Sequence, residues 1–310
     1  MIDIPFLVSV LNRVGGVLKE VLFPTQCLVC RSFFPGGAAQ CINLKNPLRQ
    51  LKDLGPDTML PGIWAHNNFM SAEHANNFPG NIQKIFGTLM SPFLCTTCSA
   101  LFLPVESPMC SKCGIVFKSR QGEDRVCGHC IEAPKSYGMA RSAGVYDKTL
   151  MSVIHCLKYK GKIQLTSPLG TLLFNVFIRY WNPKHIDMVI PVPLHERKLR
   201  IRGFNPSFLL VRNWPRIFEM LNGHLPVIPV EKDILARNKW TAPQTGLGRK
   251  ERLQNIKNAF AVKDTSKING KKILLVDDVY TTGATANECA KVLLKGGSKQ
   301  VDVLTLARAM

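Results

Sequence analysis

The sequence predicts an α/β protein in which a parallel β-sheet with crossover helices follows a small double zinc-ribbon domain. Three observations support this prediction: paired cysteines before residue 131, alternating strand and helix patterns after residue 135, and a turn rich in threonine after the apolar run at residues 273–276. Apolar runs that alternate with helical periodicity are typical of parallel sheets with right-handed crossovers. A chain of 310 residues is expected to form about two domains, which we place at residues 1–135 and 136–310.

The first domain begins with an amphipathic segment. Residues 1–23 lack a basic region before an apolar run and a small-residue cleavage site, so we expect a helix packed on the protein, with a surface anchor as the alternative. Residues 31–94 are rich in Asn, Phe, Gly and Pro, and we interpret them as an insertion that is partly helical at best. No apolar stretch is long enough to span a bilayer, and we expect a cytoplasmic protein.

Eight of the eleven cysteines form four C-x-x-C pairs. In a reducing compartment this spacing favours metal binding over disulfides, and two pairs supply the four thiolates of a tetrahedral structural zinc site. An iron–sulfur or redox role is the less favoured alternative. Pairing in chain order predicts two zinc sites, formed by Cys27, Cys30, Cys95 and Cys98, and by Cys110, Cys113, Cys127 and Cys130.

Apolar periodicity in the second domain predicts four strands and four helices. The strands are expected at residues 142–146, 187–192, 273–276 and 301–306. The helices are expected at residues 148–159, 169–181, 208–221 and 284–294. Gly296 and Gly297 follow the last of these helices, as is common at helix C-termini.

The positive charge of the chain is concentrated in the second domain. Of a formal net charge of +19, residues 136–310 contribute +16. This excess predicts anionic partners such as phosphates, pyrophosphate or nucleic acid, and a merely soluble basic surface is the alternative.

The most informative segment is residues 273–285, where a buried strand delivers two aspartates to the start of a turn and helix. The carboxylates of Asp277 and Asp278 suit ribose hydroxyls or the shell of a Mg²⁺ ion. Backbone amides at a helix start favour a phosphate, and glycine allows a close approach. The segment lacks G-x-x-x-x-G-K-[ST], which disfavours a nucleoside-triphosphatase P-loop. The phosphate-binding candidates are Thr281, Thr282, Gly283, Ala284 and Thr285.

This segment resembles the phosphoribosyl-pyrophosphate motif of type I phosphoribosyltransferases, and the whole set of motifs resembles the ComF family. The cysteine pairs and nearly all of residues 136–310 carry the resemblance, and residues 31–94 depart from the usual compact ribbon. The additional motifs are IHCLKYKG at 154–161, IPVPLH at 190–195, RGFN at 202–205, PQTG at 243–246 and RLQNI at 252–256.

The resemblance implies a type I phosphoribosyltransferase fold that binds phosphoribosyl pyrophosphate with Mg²⁺. Asp277 and Asp278 would hold the ribose hydroxyls and the metal shell, and the turn after them would hold the 5-phosphate. Guanidinium groups suit pyrophosphate oxygens. The candidate pyrophosphate donors are Arg197, Lys198, Arg200 and Arg202. Residues 243–246 resemble a mobile loop over the site. Lys158 and Lys160 are expected to face solvent, and closure over the ligand is the alternative.

Three functions remain open at this point. The first is a phosphoribosyltransferase with an unidentified acceptor, and the second is a sensor that binds phosphoribosyl pyrophosphate without turnover. The third is a competence factor that binds single-stranded DNA and other competence proteins, with Tyr159, Phe204 or Trp240 available to stack on bases. Burial of the two aspartates in ion pairs would argue against the first two functions.

Overall fold

The computed structural model describes residues 25–34, 81–119, 121–220, 225–240 and 255–310. The amphipathic segment at 1–23, most of the 31–94 insertion and the motif at 243–246 lie outside these residues. Within them, no helix is long and apolar enough to cross a membrane. The domain boundary after residue 135 stays a prediction.

The elements are numbered in chain order over the described residues. The helices are α1 (Ile82–Met90), α2 (Thr96–Ala100), α3 (Gly128–Glu132), α4 (Lys148–Tyr159), α5 (Thr166–Tyr180), α6 (Glu196–Arg202), α7 (Pro206–Val211), α8 (Trp214–Met220) and α9 (Ala284–Lys295). The strands are β1 (Thr25–Gln26), β2 (Phe33–Phe34), β3 (Ala140–Val145), β4 (Met188–Pro191), β5 (Leu235–Arg237), β6 (Phe260–Val262), β7 (Lys272–Tyr280) and β8 (Gln300–Arg308). Short 3-10 turns occur at Ile163–Leu165 and Pro183–His185.

The central sheet has the strand order β3-β8-β7-β4, and all three strand pairings are parallel. This confirms the predicted α/β class, and a strand was predicted at each of its four positions. Most predicted bounds differ from the structure by up to three residues, and two differences are larger. Strand β7 continues through both aspartates to Tyr280, because Asp277 still pairs with Thr305 of β8. The helix expected at 208–221 is two helices, and Pro215 at the start of the second cannot donate a backbone hydrogen bond to the first.

Alternating side chains of the central strands build a separate core on each face of the sheet. Leu274 and Val276 of β7 pack with α5, whereas Ile273 and Leu275 pack with α9. Because β7 is buried on both faces, it appears in the sequence as a continuous apolar run.

The cysteine-rich segments extend these two cores. Cys27 and Cys98 belong to the core on the α5 face, together with helix α1 from the end of the insertion. Cys110, Cys113 and Cys130 belong to the core on the α9 face. The two cysteine clusters therefore lie against opposite faces of the central sheet.

Candidate functional site: a cavity at the carboxyl edge of the sheet

The eight paired cysteines form two tetrads in the order that the sequence predicts. Within each tetrad all four Sγ atoms lie within 4.8 Å of one another. The Sγ atoms of Cys30 and Cys95 are 3.7 Å apart, and those of Cys113 and Cys127 are 3.8 Å apart. Tetrahedral zinc with Zn–S bonds of about 2.3 Å requires sulfur atoms about 3.8 Å apart. Both tetrads therefore fit a structural zinc ion in donor type and in spacing.

Backbone amides also point at the tetrad sulfurs, as expected for thiolate ligands. The amides of Cys113 and Cys127 donate to Cys110 Sγ at 3.4 and 3.3 Å. In the first tetrad the amide of Cys95 donates to Cys27 Sγ at 3.5 Å. Hydrogen bonds to the charged form of a group favour that form, so these contacts suit metal-bound thiolates.

One cavity of about 720 Å³ lies at the carboxyl end of β7. The carboxyl ends of parallel strands are where ligands bind in open α/β folds. Among the candidate sugar, phosphate and pyrophosphate residues from the sequence, those that line it are Asp277, Asp278, Thr281, Thr282, Gly283, Ala284, Thr285, Lys198 and Arg202. Three candidate zinc ligands, Cys113, Cys127 and Cys130, line it as well. Arg197 and Arg200 are exposed on α6 and do not line this cavity.

The turn that joins β7 to α9 has the backbone conformation that its glycine predicts. Gly283 is the N-cap of α9, with φ 75° in the left-handed region, and a Cβ there would overlap the hydroxyl of Tyr280. The helix's own hydrogen-bond ladder begins where Asn287 N donates to Gly283 O at 2.9 Å. The start of α9 thus faces the cavity with the amide dipole oriented as a phosphate prefers.

The two aspartates are held differently on the cavity floor. Asp277 Oδ1 accepts hydrogen bonds from Ser207 Oγ and from the amide of Asp278, both at 2.9 Å. Burial, and next the charge of Asp278, raise the pKa of Asp277 to about 7. Asp278 accepts a hydrogen bond from Lys158 Nζ at 2.7 Å, and both side chains of this ion pair are largely buried. A ligand that binds Asp278 must therefore compete with Lys158.

The expectation that Lys158 faces solvent is wrong. Its side chain is 15% exposed and lines the cavity, because helix α4 directs it toward β7. Burial lowers the pKa of Lys158, but the charge of Asp278, its hydrogen bond and the charge of Asp277 together raise the pKa overall. Lys160 is exposed, as the sequence predicts.

Three neighbouring cations, Lys198, Arg202 and Arg237, form a cation wall of the cavity. Burial, and next the neighbouring charges of Arg202 and Arg237, lower the pKa of Lys198. Burial likewise lowers the pKa of Arg237. Such mutual repulsion is relieved when an anion binds, so this wall favours a multiply charged ligand.

Arg237, like Arg308, is a cavity residue that sequence reasoning missed. It comes from the three-residue strand β5, whose partner β6 follows more than twenty residues later in the chain. No motif surrounds it, and only the folded chain brings it beside the other two cations.

Comparison with known proteins agrees with these findings. Residues 222–310 match the family described as the phosphoribosyl transferase domain. The chain is 32% identical to competence protein F of Haemophilus influenzae over 218 residues, which cover 68% of this chain and 90% of that protein. It is 28% identical over 220 residues to DNA utilization protein YhgH of Escherichia coli, covering 70% of this chain and 91% of the relative. It is 26% identical over 223 residues to competence protein ComFC of Bacillus subtilis, covering 70% and 84%.

The match to competence protein F covers most of both chains. It agrees with the structure, in which two cysteine tetrads precede a phosphoribosyltransferase-type domain that contains a parallel sheet. The chain therefore belongs to the ComF family of competence proteins.

Proposed function

We propose that the cavity binds phosphoribosyl pyrophosphate together with Mg²⁺. The observation that carries this proposal is the convergence of three groups on one cavity: the aspartate pair, the turn at Gly283 and the three cations. In the proposed complex the turn holds the 5-phosphate, the aspartates hold the ribose hydroxyls and the metal shell, and Lys198 and Arg202 hold the pyrophosphate. Each part of the ligand thus meets groups of matching chemistry.

The ion pair between Lys158 and Asp278 is the feature that this proposal must accommodate. Its Nζ–Oδ1 distance of 2.7 Å leaves no room for a ligand between the two charges. The proposal therefore requires Mg²⁺ or a ribose hydroxyl to replace Lys158 at Asp278. The displaced ammonium then lies in a cavity that also holds the phosphates, where its charge is compensated again.

Calorimetric titration with phosphoribosyl pyrophosphate in the presence of Mg²⁺ tests this proposal. The wild-type chain is expected to bind, and the double variant D277N/D278N is expected to lose binding because it keeps the shape of the side chains without their charge. D264N is the control, since Asp264 is a carboxylate that does not line the cavity. Equal binding by all three proteins would refute the proposed site.

We further propose that this site transfers the phosphoribosyl group to an acceptor with release of pyrophosphate. The cation wall supports the proposal, because stabilising the charge of a departing pyrophosphate is what such a transfer requires. Pyrophosphate release with a panel of acceptors separates this enzyme from a sensor, which would bind the ligand without releasing pyrophosphate.

A second candidate function is binding of single-stranded DNA, and the rim of the cavity favours it. Trp240 is 42% exposed and Tyr159 is 68% exposed. The guanidinium of Arg197 lies 5.1 Å from the Trp240 ring centroid, and that of Arg202 lies 5.2 Å from the Tyr159 ring centroid. Aromatic rings beside cations are the groups that bind single strands without sequence preference. Phe204, the third aromatic candidate from the sequence, packs against the core.

The printed names of the relatives, competence protein and DNA utilization protein, are consistent with this second candidate. The W240A variant is expected to weaken single-strand binding about tenfold, as one lost stacking interaction predicts. F33A is the control, because Phe33 is an aromatic residue that is even more exposed, at 67%, and lies beside the first tetrad. D277N/D278N should leave DNA binding intact, and a loss in that variant would contradict a separate DNA surface.

We also propose that both tetrads hold zinc and that the protein acts in the cytoplasm, where thiols stay reduced. The sulfur spacing supports the first part of this proposal. Metal analysis of the purified chain is expected to find two zinc ions, and disulfides in place of zinc would contradict it.

A further inference from the structure

The second tetrad is joined by a short series of contacts through Arg308 to the turn at Gly283, which is the turn proposed to hold phosphate. Arg308 ends β8 and is 4% exposed. Its Nη1 donates to the carbonyl of Cys113 at 2.6 Å, and its Nη2 donates to Cys113 Sγ at 3.3 Å. Within the described part of the chain, its Nε has no hydrogen-bond partner. The tetrad residue Cys113 therefore fixes the position of this guanidinium.

Arg308 in turn holds Tyr280, the last residue of β7. The guanidinium carbon lies 4.4 Å from the centroid of the Tyr280 ring, and the two residues are paired in the sheet. The hydroxyl of Tyr280 is 2.5 Å from that of Tyr137, which is fully buried in the same core. The same hydroxyl occupies the space where Gly283 lacks a side chain, so the tyrosine and the turn fit each other closely.

A second link runs from the segment after the tetrad to the start of α9. The amide of Ser136 donates to Asn287 Oδ1 at 2.8 Å, and the amide of Asn287 begins the helix's ladder at Gly283 O. The tetrad loop itself is bound to β3, where the amide of Ala140 donates to Lys112 O at 2.8 Å. The turn that is proposed to hold phosphate is thus connected to the second tetrad by two separate series of contacts.

Charge explains why a metal ion in this tetrad matters for Arg308. Four thiolates around one zinc ion carry a formal charge of −2, which compensates the buried guanidinium. Metal also holds the four sulfurs at one point, so without it the carbonyl and the Sγ of Cys113 no longer have a fixed position. Arg308 then lacks fixed hydrogen-bond partners at Cys113, and Tyr280 loses its contact with the guanidinium.

We propose that Arg308 is a positioning residue through which metal in the second tetrad holds the phosphate-binding turn in its binding conformation. Loss of that metal then disables the turn, whereas loss of metal from the first tetrad does not. The first tetrad supports this contrast, because Cys27 and Cys98 pack into the core on the other face of the sheet. The effect on ligand binding rests on the proposed function, but the effect on the turn itself does not.

The first experiment compares one serine variant in each tetrad by hydrogen exchange without ligand. C127S and C30S each replace a thiol that is not fully buried, and each is expected to retain about one zinc ion by metal analysis. In C127S the amides of residues 281–287 are expected to exchange about tenfold faster than in the wild-type chain, and in C30S at the wild-type rate. Equal exchange at this turn in the two variants would overturn the proposal.

The second experiment tests Arg308 with both tetrads intact. R308M is expected to keep two zinc ions and to bind phosphoribosyl pyrophosphate with Mg²⁺ about tenfold more weakly. Because coupling is reciprocal, the ligand should slow zinc release to a chelator from the wild-type chain and not from R308M. If R308M does not fold, R308K is the second variant, since lysine retains the charge but cannot make both hydrogen bonds to Cys113. It is expected to show the same loss of ligand affinity and of zinc protection.

Wild-type affinity and wild-type protection of zinc in a folded Arg308 variant would overturn the proposal. Failure of the wild-type chain to bind the ligand would instead refute the proposed function. In that case the exchange comparison between C127S and C30S still decides whether the tetrad supports the turn.

Discussion

Replacing Gly283 by alanine tests whether the turn before α9 has the geometry that ligand binding needs. Gly283 has φ 75°, and a Cβ there would overlap the Tyr280 hydroxyl. The left-handed conformation costs a residue other than glycine about 1–2 kcal/mol. Tyr280 must also move, which weakens its hydrogen bond to Tyr137 and its stacking with Arg308, each worth about 1 kcal/mol. We expect G283A to lower the free energy of unfolding by about 2–4 kcal/mol.

Gly270 provides a matched control for the backbone part of this cost. It has φ 70°, and a Cβ there would meet nothing within 4 Å. G270A should therefore lower the free energy of unfolding by about 1–2 kcal/mol only. Gly270 lies in the turn before β7, at the opposite end of that strand from the cavity, so its variant should keep ligand affinity.

The assay for both variants is urea unfolding with zinc present, followed by calorimetric titration with phosphoribosyl pyrophosphate and Mg²⁺. G283A is expected to be the less stable variant and to lose ligand binding. If G283A loses no more stability than G270A and binds the ligand equally well, the fit between Tyr280 and the turn is not what the structure indicates.

Three further predictions concern the charged groups. K158M should lower the free energy of unfolding by about 3 kcal/mol, because Asp278 is left buried without its cation; urea unfolding of K158M and the wild-type chain measures this. Asp277 has a pKa of about 7 in the folded chain against 3.8 ordinarily, so the folded state binds the extra proton between these values. The free energy of unfolding should therefore fall as pH rises from 4 to 7, and D277N should remove this contribution to its pH dependence. Ligand affinity with Mg²⁺ in excess should rise from pH 6 to pH 8 as Asp277 ionises, and calorimetry that found stronger binding at pH 6 would contradict the role of its carboxylate.

Local patterns in the sequence were sufficient to predict the sheet and the tetrads. A continuous apolar run predicted β7, which is buried on both faces, and strands were also predicted at the positions of β3, β4 and β8. The spacing of the cysteine pairs identified both tetrads, because each pair sits in one short loop. Helix α4 has the predicted bounds, since Asp147 caps its first residue and the apolar positions follow helical spacing.

Features that depend on distant parts of the chain could not be predicted. Lys158 meets Asp278 across 120 residues, and Arg308 meets Cys113 across 195 residues. A lysine near the end of an amphipathic helix looks solvent-exposed until the strand that it faces is known. The same reason applies to Arg237, whose short strand carries no motif.

The predicted end of β7 was wrong because polar residues continue this strand. Asp277 and Asp278 look like the start of a turn, but β8 provides hydrogen-bond partners beyond them, so β7 extends to Tyr280. The carboxylates consequently project from a fixed strand instead of a loop. This rigidity suits a site whose groups must keep their spacing.

A crystal structure of the chain with phosphoribosyl pyrophosphate and Mg²⁺ would show the ligand site itself. We predict the 5-phosphate against the turn at Gly283, the ribose beside Asp277 and Asp278, and the pyrophosphate on Lys198 and Arg202. We also predict that Lys158 has left Asp278. Ligand bound elsewhere, or an empty cavity with the Lys158–Asp278 pair intact at saturating ligand, would contradict it.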